Sequence, residues 1–421
     1  MDNILNKKII LLLALFFAVN LSMISSNRED SIKAVVNRLS EALSNSDMDK
    51  VKADLNSDFS IHIATWPASG WYLSQILNSK TIESVEYISI NSISEDAAFV
   101  NALFKNKNGK SEKAILAFDS QNKILFVDYF DQLYSSGRFS KSVLKDIIPF
   151  TIEDGSIILS LKLNNDDVLR RFLFDTGANG MAIGRSLADS IGLSISRKQQ
   201  TSVVGARLEV SISSGNEIHL NDSLSLKKQN IAIFEQIGHG VDGIIGLNLC
   251  GEYIVNVNFD TQQLYLYSFG DYDFGQDGEV LDIIIPEGVI LVPCAINIVG
   301  KKEVSGHFVF DTGANYHAIA FEQFVRKNRL LLSGFKSEEQ ASTVSLGVST
   351  PVFKGKASEF RIGEKIHQFD MPITLQASGG QSSNDKNAPD GSVGIQLLDQ
   401  FNFTIDMLRK KIHLIPYKKH E

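Results

Sequence analysis

The period of the apolar residues changes along this 421-residue chain, and the changes divide it into regions. In "SIKAVVNRLSEALSNSD" (31–47), Ile32, Val35, Val36, Leu39 and Leu43 recur at helical spacing, which predicts an amphipathic helix. Short runs rich in β-branched and aromatic residues follow: "SVEYISINSI" from Ser84, "AAFVNALFK" from Ala97, "KAILAFD" from Lys113 and "KILFVDYF" from Lys123. Turn-forming stretches such as "NKNGK" and "DSQNK" separate them, so they read as an antiparallel meander. A helix, the intervening "WPASGWYLSQIL" and a meander together predict a small α+β domain over 27–135. "SSGRFSKSVLKDI" follows, and residues 136–147 are expected to be a linker. Strand-like runs dominate from 148 onward, with the clearest helices at "GRSLADSIGL" from Gly184 and "FEQFVRKNRLLL" from Phe321.

At the N-terminus, Lys7 and Lys8 precede "IILLLALFFAVNL" (9–21), an apolar run of signal-peptide length. Residues 1–26 are therefore expected to be an export signal, placing the protein in the periplasm or outside the cell. The alternative is an uncleaved membrane anchor with the rest of the chain outside the cytoplasm.

Composition narrows the chemistry. The chain is 43% hydrophobic and 21% charged, ample for buried cores, and its net charge of −8 offers no basic footprint for nucleic acid. No His- or Cys-rich cluster suggests a metal site, and no cofactor motif stands out. Cys250 and Cys294 read as two separate buried residues, although export would permit pairing.

The strongest signal is a repeat. "RFLFDTGANGMAI" begins at Arg171 and "HFVFDTGANYHAI" at His307, identical at nine of 13 positions, with Asp175 and Asp311 136 residues apart. A second pair lies downstream: "DGIIGLNLCGEYIVNVNFDTQQLYL" from Asp242 and "DGSVGIQLLDQFNFTIDMLRKKIHL" from Asp390, 148 residues apart. The excess in the second copy is assigned to the polar loop "SGGQSSNDKNAP" (378–389). Two such units predict pseudo-twofold symmetry and not a solenoid.

Each motif carries a physical instruction. An apolar strand delivers an aspartate to its end, threonine can bond locally through its hydroxyl, and glycine permits close backbone approach. Two rigid turns facing across a twofold axis would bring the carboxyl groups together, where they would share a proton. One could then take a proton from water while the other gives one to a carbonyl oxygen.

On these motifs, residues 148–417 resemble aspartic peptidases of the pepsin and retropepsin type. The resemblance implies a mainly β, bilobal fold, with lobes over 148–275 and 276–421 and peptide or protein substrate bound between them. It implies Asp175 and Asp311 as the catalytic dyad. Thr176 and Thr312 would interlock the two loops through hydroxyl-to-backbone bonds, and Gly177 and Gly313 would permit the turns. Ala178 and Ala314 complete a DTGA form reminiscent of retropepsins. Ile244-Ile245-Gly246 matches the family's apolar–apolar–glycine element. Ser392-Val393-Gly394 departs from it, a mild change that bears on packing and not on the assignment. Substrate-covering flaps are expected with tips at Val204-Gly205-Ala206 and Leu346-Gly347-Val348. The first flap lacks the tyrosine of pepsin-like enzymes, which makes the cleft more retropepsin-like or the flap less engaged. His317, near a helix entry, reads as solvated or capping, and Trp66 and Trp71 as core, with a pocket lining of the N-terminal domain as the alternative.

Residues 27–135 look like the NTF2-like (SnoaL-like) cone fold, whose curved sheet would form a pocket or a homodimer surface; a packing or spacer module is the alternative. The combined expectation is an exported, bacterial-type aspartic endopeptidase that needs neither cofactor nor metal. Two competitors stand beside it: an inactive peptide-binding module on the same scaffold, and an enzyme held inactive by its N-terminal domain until cut near 135–141.

Overall fold

The structure, a computed structural model, describes residues 27–203, 206–238, 240–299, 302–345, 348–377 and 388–417. The expected export signal at 1–26 and most of the polar loop at 378–389 lie outside the described residues. The chain forms two compact units that divide between Ser140 and Lys141.

In the first unit a helix spans residues 27–45, and Ile32, Val35, Val36, Leu39, Ala42 and Leu43 on one of its faces are all buried. This stripe packs into one core with Phe59, Val100, Phe104, Leu116, Phe118 and Phe130. The meander is present as Ile82–Ile93, Ala97–Asn106, Ser111–Asp119 and Ile124–Val127. It is extended by a strand that periodicity did not single out, Leu55–Ile61, which runs parallel to Ile124–Val127. Three register shifts between the first two meander strands add local twist and bend to the sheet. "WPASGWYLSQIL" supplies the helix Ala68–Ser79, but Trp66 and Trp71, expected to be core, are both exposed.

Residues 136–147, expected to be a linker, are divided by the structure. Ser136 and Arg138 are buried in the first unit. The Arg138 guanidinium donates to Asp131 Oδ2 at 2.6 Å and to Ser60 Oγ at 3.0 Å, and it lies 4.1 Å from the Phe126 ring centroid. Burial raises the Asp131 carboxyl to about 6, against the opposing pull of Arg138. The same segment then enters the strand Leu144–Glu153 of the second unit. A polar, glycine-containing stretch looks like a tether in sequence because its partners are distant along the chain.

The second unit contains a 13-stranded and a 7-stranded sheet. Seven strands of the larger sheet run, edge to edge, Arg197–Val203, Ala206–His219, Ser225–Phe234, Met181–Gly184, Gly243–Ile245, Arg170–Phe174 and Ser156–Leu163. The smaller sheet runs Ser337–Ser345, Val348–Ile362, Ile366–Gln376, Ala318–Ala320, Gly391–Gly394, Val304–Asp311 and Leu291–Asn297. Matched by their place in the repeat, the strands stand in the same order in both arrays. Each array also folds its long hairpin strand back onto its last strand, through Ile218↔Leu163 in one and Cys294↔Ile362 in the other.

The remaining strands of the larger sheet are Leu144–Glu153, Gln263–Tyr267, Ile254–Asn258, Phe401–Asp406, Lys411–Pro416 and Glu279–Asp282. Val255 pairs with Ile405 here, so chain from either side of residue 275 is woven into one sheet. Ile254, Val255, Val257, Leu264, Leu266, Ile405, Ile412 and Leu414 are fully buried. Cys250 and Cys294 are both free and buried, and burial pushes both thiols well above their ordinary range.

Candidate active site

Three fully buried residues, Phe172, Leu173 and Phe174, end the strand that delivers Asp175, and Phe308 and Phe310 anchor the strand that delivers Asp311. Each of these strands has its glycine block as parallel neighbour: Phe174 pairs with Ile245, and Phe310 with Val393. The same blocks reach under the loops, where Leu247 N–H donates to Ala178 O at 2.9 Å and Ile395 N–H to Ala314 O at 2.8 Å. A carboxylate carried on such a turn is held from three sides.

The two loops are tied by reciprocal bonds. Thr176 Oγ1 donates to Phe310 O at 2.6 Å and accepts from Thr312 N–H at 3.1 Å. Thr312 Oγ1 donates to Phe174 O at 2.7 Å and accepts from Thr176 N–H at 3.0 Å. Both threonines are wholly buried. Each hydroxyl thus satisfies a backbone carbonyl and a backbone N–H of the opposite loop, which would otherwise stand unpaired in the interior.

That interlock brings the aspartates together. Gly177 N–H donates to Asp175 Oδ1 at 2.9 Å, and Gly313 N–H to Asp311 Oδ1 at 3.1 Å. A Cβ added at Gly177 would stand 2.6 Å from the Asp311 carboxyl carbon, and one added at Gly313 would collide with the Asp175 carboxyl group. Each glycine therefore lies directly beneath the opposite carboxylate, and alanine does not fit there. Both aspartates are half-buried, so part of each remains open to solvent. The Asp311 carboxyl is held well above the usual range, first by loss of water around it, then by the charge of Asp175 and a side-chain hydrogen bond with it. Two carboxyl groups so placed share a proton.

Two neighbours of Asp311 were not expected. Ser392, expected to affect packing alone, is buried, and its hydroxyl donates to Asp311 Oδ2 at 3.3 Å. The Tyr316 phenol is pushed far above its ordinary range, first by burial and then by the charges of Asp311 and Asp175. The signal available in the sequence was the mismatch between copies, since Gly180 and Ile244 hold the corresponding places. His317 is half-buried, and burial lowers its pKa.

Both expected flaps fall on β-hairpins. Arg197–Val203 pairs with Ala206–His219 out to Val203↔Ala206, and Ser337–Ser345 pairs with Val348–Ile362 out to Ser345↔Val348. Of the expected tips, Val204, Gly205, Leu346 and Gly347 lie outside the described residues, while Ala206 and Val348 open the return strands. Among the described residues no group of three or more His, Cys, Asp or Glu side chains is placed to hold a metal ion.

An aspartyl protease family model matches residues 159–249, a stretch that contains Asp175 and the first glycine block and ends before Asp311. Among solved structures, the crystal structure of aspartic proteinase from Irpex lacteus is similar at 13% identity, over 66% of this chain and 98% of that one, with a TM-score of 0.43. No curated protein matches the sequence.

Proposed function

We propose that the chain is an aspartic endopeptidase in which Asp175 and Asp311 act as one catalytic pair on a peptide or protein substrate. The observation that carries this reading is the reciprocal Thr176–Thr312 interlock, which sets the two carboxyl groups against each other's glycines. In the singly ionised pair, the charged carboxylate takes a proton from a water molecule as that water attacks the scissile carbonyl carbon. The protonated partner gives its proton to the carbonyl oxygen, forming a neutral tetrahedral diol. On collapse of the diol the charged carboxylate takes one hydroxyl proton while its protonated partner gives its proton to the departing nitrogen. The products are a carboxylic acid and an amine, with the pair restored. No covalent enzyme intermediate is required, because water is the nucleophile.

On this reading the two seven-strand arrays are the halves of a duplicated, bilobal scaffold. The hairpins at 197–219 and 337–362 are substrate flaps, and both half-sites lie in one chain. We further propose that residues 1–26 direct export and that the first unit is an NTF2-like module. The test is binding of a peptide in which the scissile amide is replaced by a secondary alcohol, a mimic of the diol. Wild type should bind it at least about 10²-fold more tightly than the parent peptide. Asp175→Asn and Asp311→Asn should both lose that preference; equal affinity for the two peptides in wild type would sink the proposal.

A further inference from the structure

The interlock treats the two aspartate loops alike, but the turns that lead into the two copies differ. In the first copy Leu159 pairs with Phe172, and in the second Val292 pairs with Phe308, each phenylalanine three residues before its aspartate. Gly155 and Gly288 stand four residues before those strand partners, so they hold the same position of the repeat. Both have a positive φ, 81° and 80°. Their surroundings are unlike. Gly155 lies in a two-residue hairpin turn between Glu153 and Ser156, and a Cβ added there would meet nothing within 4 Å. At Gly288 the turn is longer, running between Ile284 and Leu291 and containing the 3-10 turn Pro286–Gly288. A Cβ added at Gly288 would lie 2.5–2.6 Å from Nδ2, Cγ and Oδ1 of Asn179.

We propose that the segment 285–290 is a cross-brace between the two aspartate loops, in which Gly288 is a positioning residue for Asn179 and, through it, for Asp175. One end is tied to the strand that carries Asp311: Phe310 N–H donates to Ile290 O at 3.0 Å, and Leu291 pairs with Val309. Ile290 and Leu291 are both buried. The turn is closed on itself. Val289 N–H donates to Pro286 O at 3.1 Å, and Ile284 and Leu291 exchange backbone bonds of 3.2 and 2.9 Å. The other end meets the loop that carries Asp175. Three carboxamide atoms at nearly one distance mean that the flat face of the Asn179 amide lies on the Gly288 backbone, a contact that only glycine leaves open. Asn179 directly follows Ala178, whose N–H donates to Asp175 O at 3.2 Å. A push on Asn179 is therefore passed to the turn that holds the first carboxyl group.

The brace is one-sided. On the second loop Asn315 holds the place of Asn179, and Gln396 Nε2, from the glycine block of the same copy, donates to Asn315 Oδ1 at 2.9 Å. In the first copy Asn248 stands where Gln396 does, and its Nδ2 donates to Gln229 Oε1 at 3.0 Å. The second loop is thus steadied from within its own copy, and the first is met by chain from the other. The placement of Asp175 against Asp311 consequently depends on the segment 285–290.

The kinetic arm of the test rests on the peptidase reading; the spectroscopic arm does not. In the full chain labelled with 15N-asparagine, the carboxamide resonances of Asn179 would be assigned through Asn179→Ala and followed in Gly288→Ala and Gly155→Ala. Both substitutions place a side chain at the same positive φ, so similar falls in thermal stability are expected. Only Gly288→Ala should displace the Asn179 resonances. With peptide substrate, Gly288→Ala should lower kcat about 10-fold with KM nearly unchanged, as expected for a displacement well under 1 Å, while Gly155→Ala keeps wild-type kinetics. Made in Asn179→Ala, which removes the carboxamide, Gly288→Ala should cost less than about twofold. If Gly288→Ala does not fold, Gly288→Asn, which tolerates positive φ, takes its place. Displaced Asn179 resonances in a protein whose wild type cleaves nothing would uphold the brace and defeat the peptidase reading. Resonances unmoved by Gly288→Ala, or moved equally by Gly155→Ala, would overturn the brace whether or not wild type cleaves peptides. A kinetic loss that persists undiminished in Asn179→Ala would overturn it as well.

Discussion

The loop at 175–180 and the loop at 311–316 are built on one backbone plan and furnished differently. Their threonines exchange equivalent bonds, their glycines occupy equivalent positions under the opposite carboxyl group, and their glycine blocks reach the same alanine carbonyl. The contrast begins one residue past the shared DTGAN, where glycine faces tyrosine, and recurs where isoleucine faces serine. Repeated residues make the symmetric frame, and the unrepeated ones decide how each carboxyl group is surrounded. A frame of this kind brings two like charges together. At one mismatched position the Ser392 hydroxyl then reaches Asp311 without disturbing the frame.

The largest expected effect on that comparison comes from Thr176→Val and Thr312→Val. Either one strips a partner from a buried carbonyl and a buried N–H of the other loop, at about 1–3 kcal/mol for each unpaired group. Chemical denaturation of the second unit should show similar losses for the two variants; a loss confined to one would break the symmetry of the frame. Gly177→Ala and Gly313→Ala come next. A methyl group would push the opposite carboxylate aside, and displacements near 1 Å commonly cost about 10²-fold in rate. Comparable falls in kcat/KM with the fold retained are the expected outcome.

A smaller effect concerns pH. Because the Asp311 carboxyl is raised in the folded state, the unfolded chain ionises first as pH rises. Below the ordinary carboxylate value of 3.8 nothing separates wild type from Asp311→Asn on this account. Above it wild type should lose stability relative to the variant by about 1.4 kcal/mol per pH unit, until the folded-state carboxyl also ionises. Urea titrations at several pH values would show the widening gap; a constant gap would contradict it. The smallest effect is expected at the first position of the repeated stretch, where exposed Arg171 pairs with Glu153 and His307 stands in the other copy. Arg171→His should cost under about 1 kcal/mol in thermal denaturation.

Much of this frame is visible in the sequence because it is made of local signals. Apolar triplets before Asp175 and Asp311, the return of a glycine block after each of them, and a helical stripe at Ile32 to Leu43 are all legible in short stretches of chain. What the sequence concealed depends on chain far away. Arg138 reads as a linker residue until Asp131 and Ser60 are seen around it. Leu55–Ile61 has no neighbour in sequence that announces its parallel partner at 124–127. Ser392 looks like a weakened packing position because its hydroxyl acquires meaning only beside Asp311, 81 residues earlier. Tyr316 is masked in another way, since an aromatic after a strand ordinarily reads as core.

The central claim is that Asp175 and Asp311 work as one pair in peptide hydrolysis. The most direct measurement is cleavage of a diverse peptide library from acid to neutral pH by wild type, Asp175→Asn and Asp311→Asn, each confirmed as folded. The account predicts cleavage by wild type and a fall of at least about 10³-fold in both variants, within the range for losing a positioned acid or base. Cleavage surviving in either variant, or peptide bound without turnover by wild type at every pH, would contradict it.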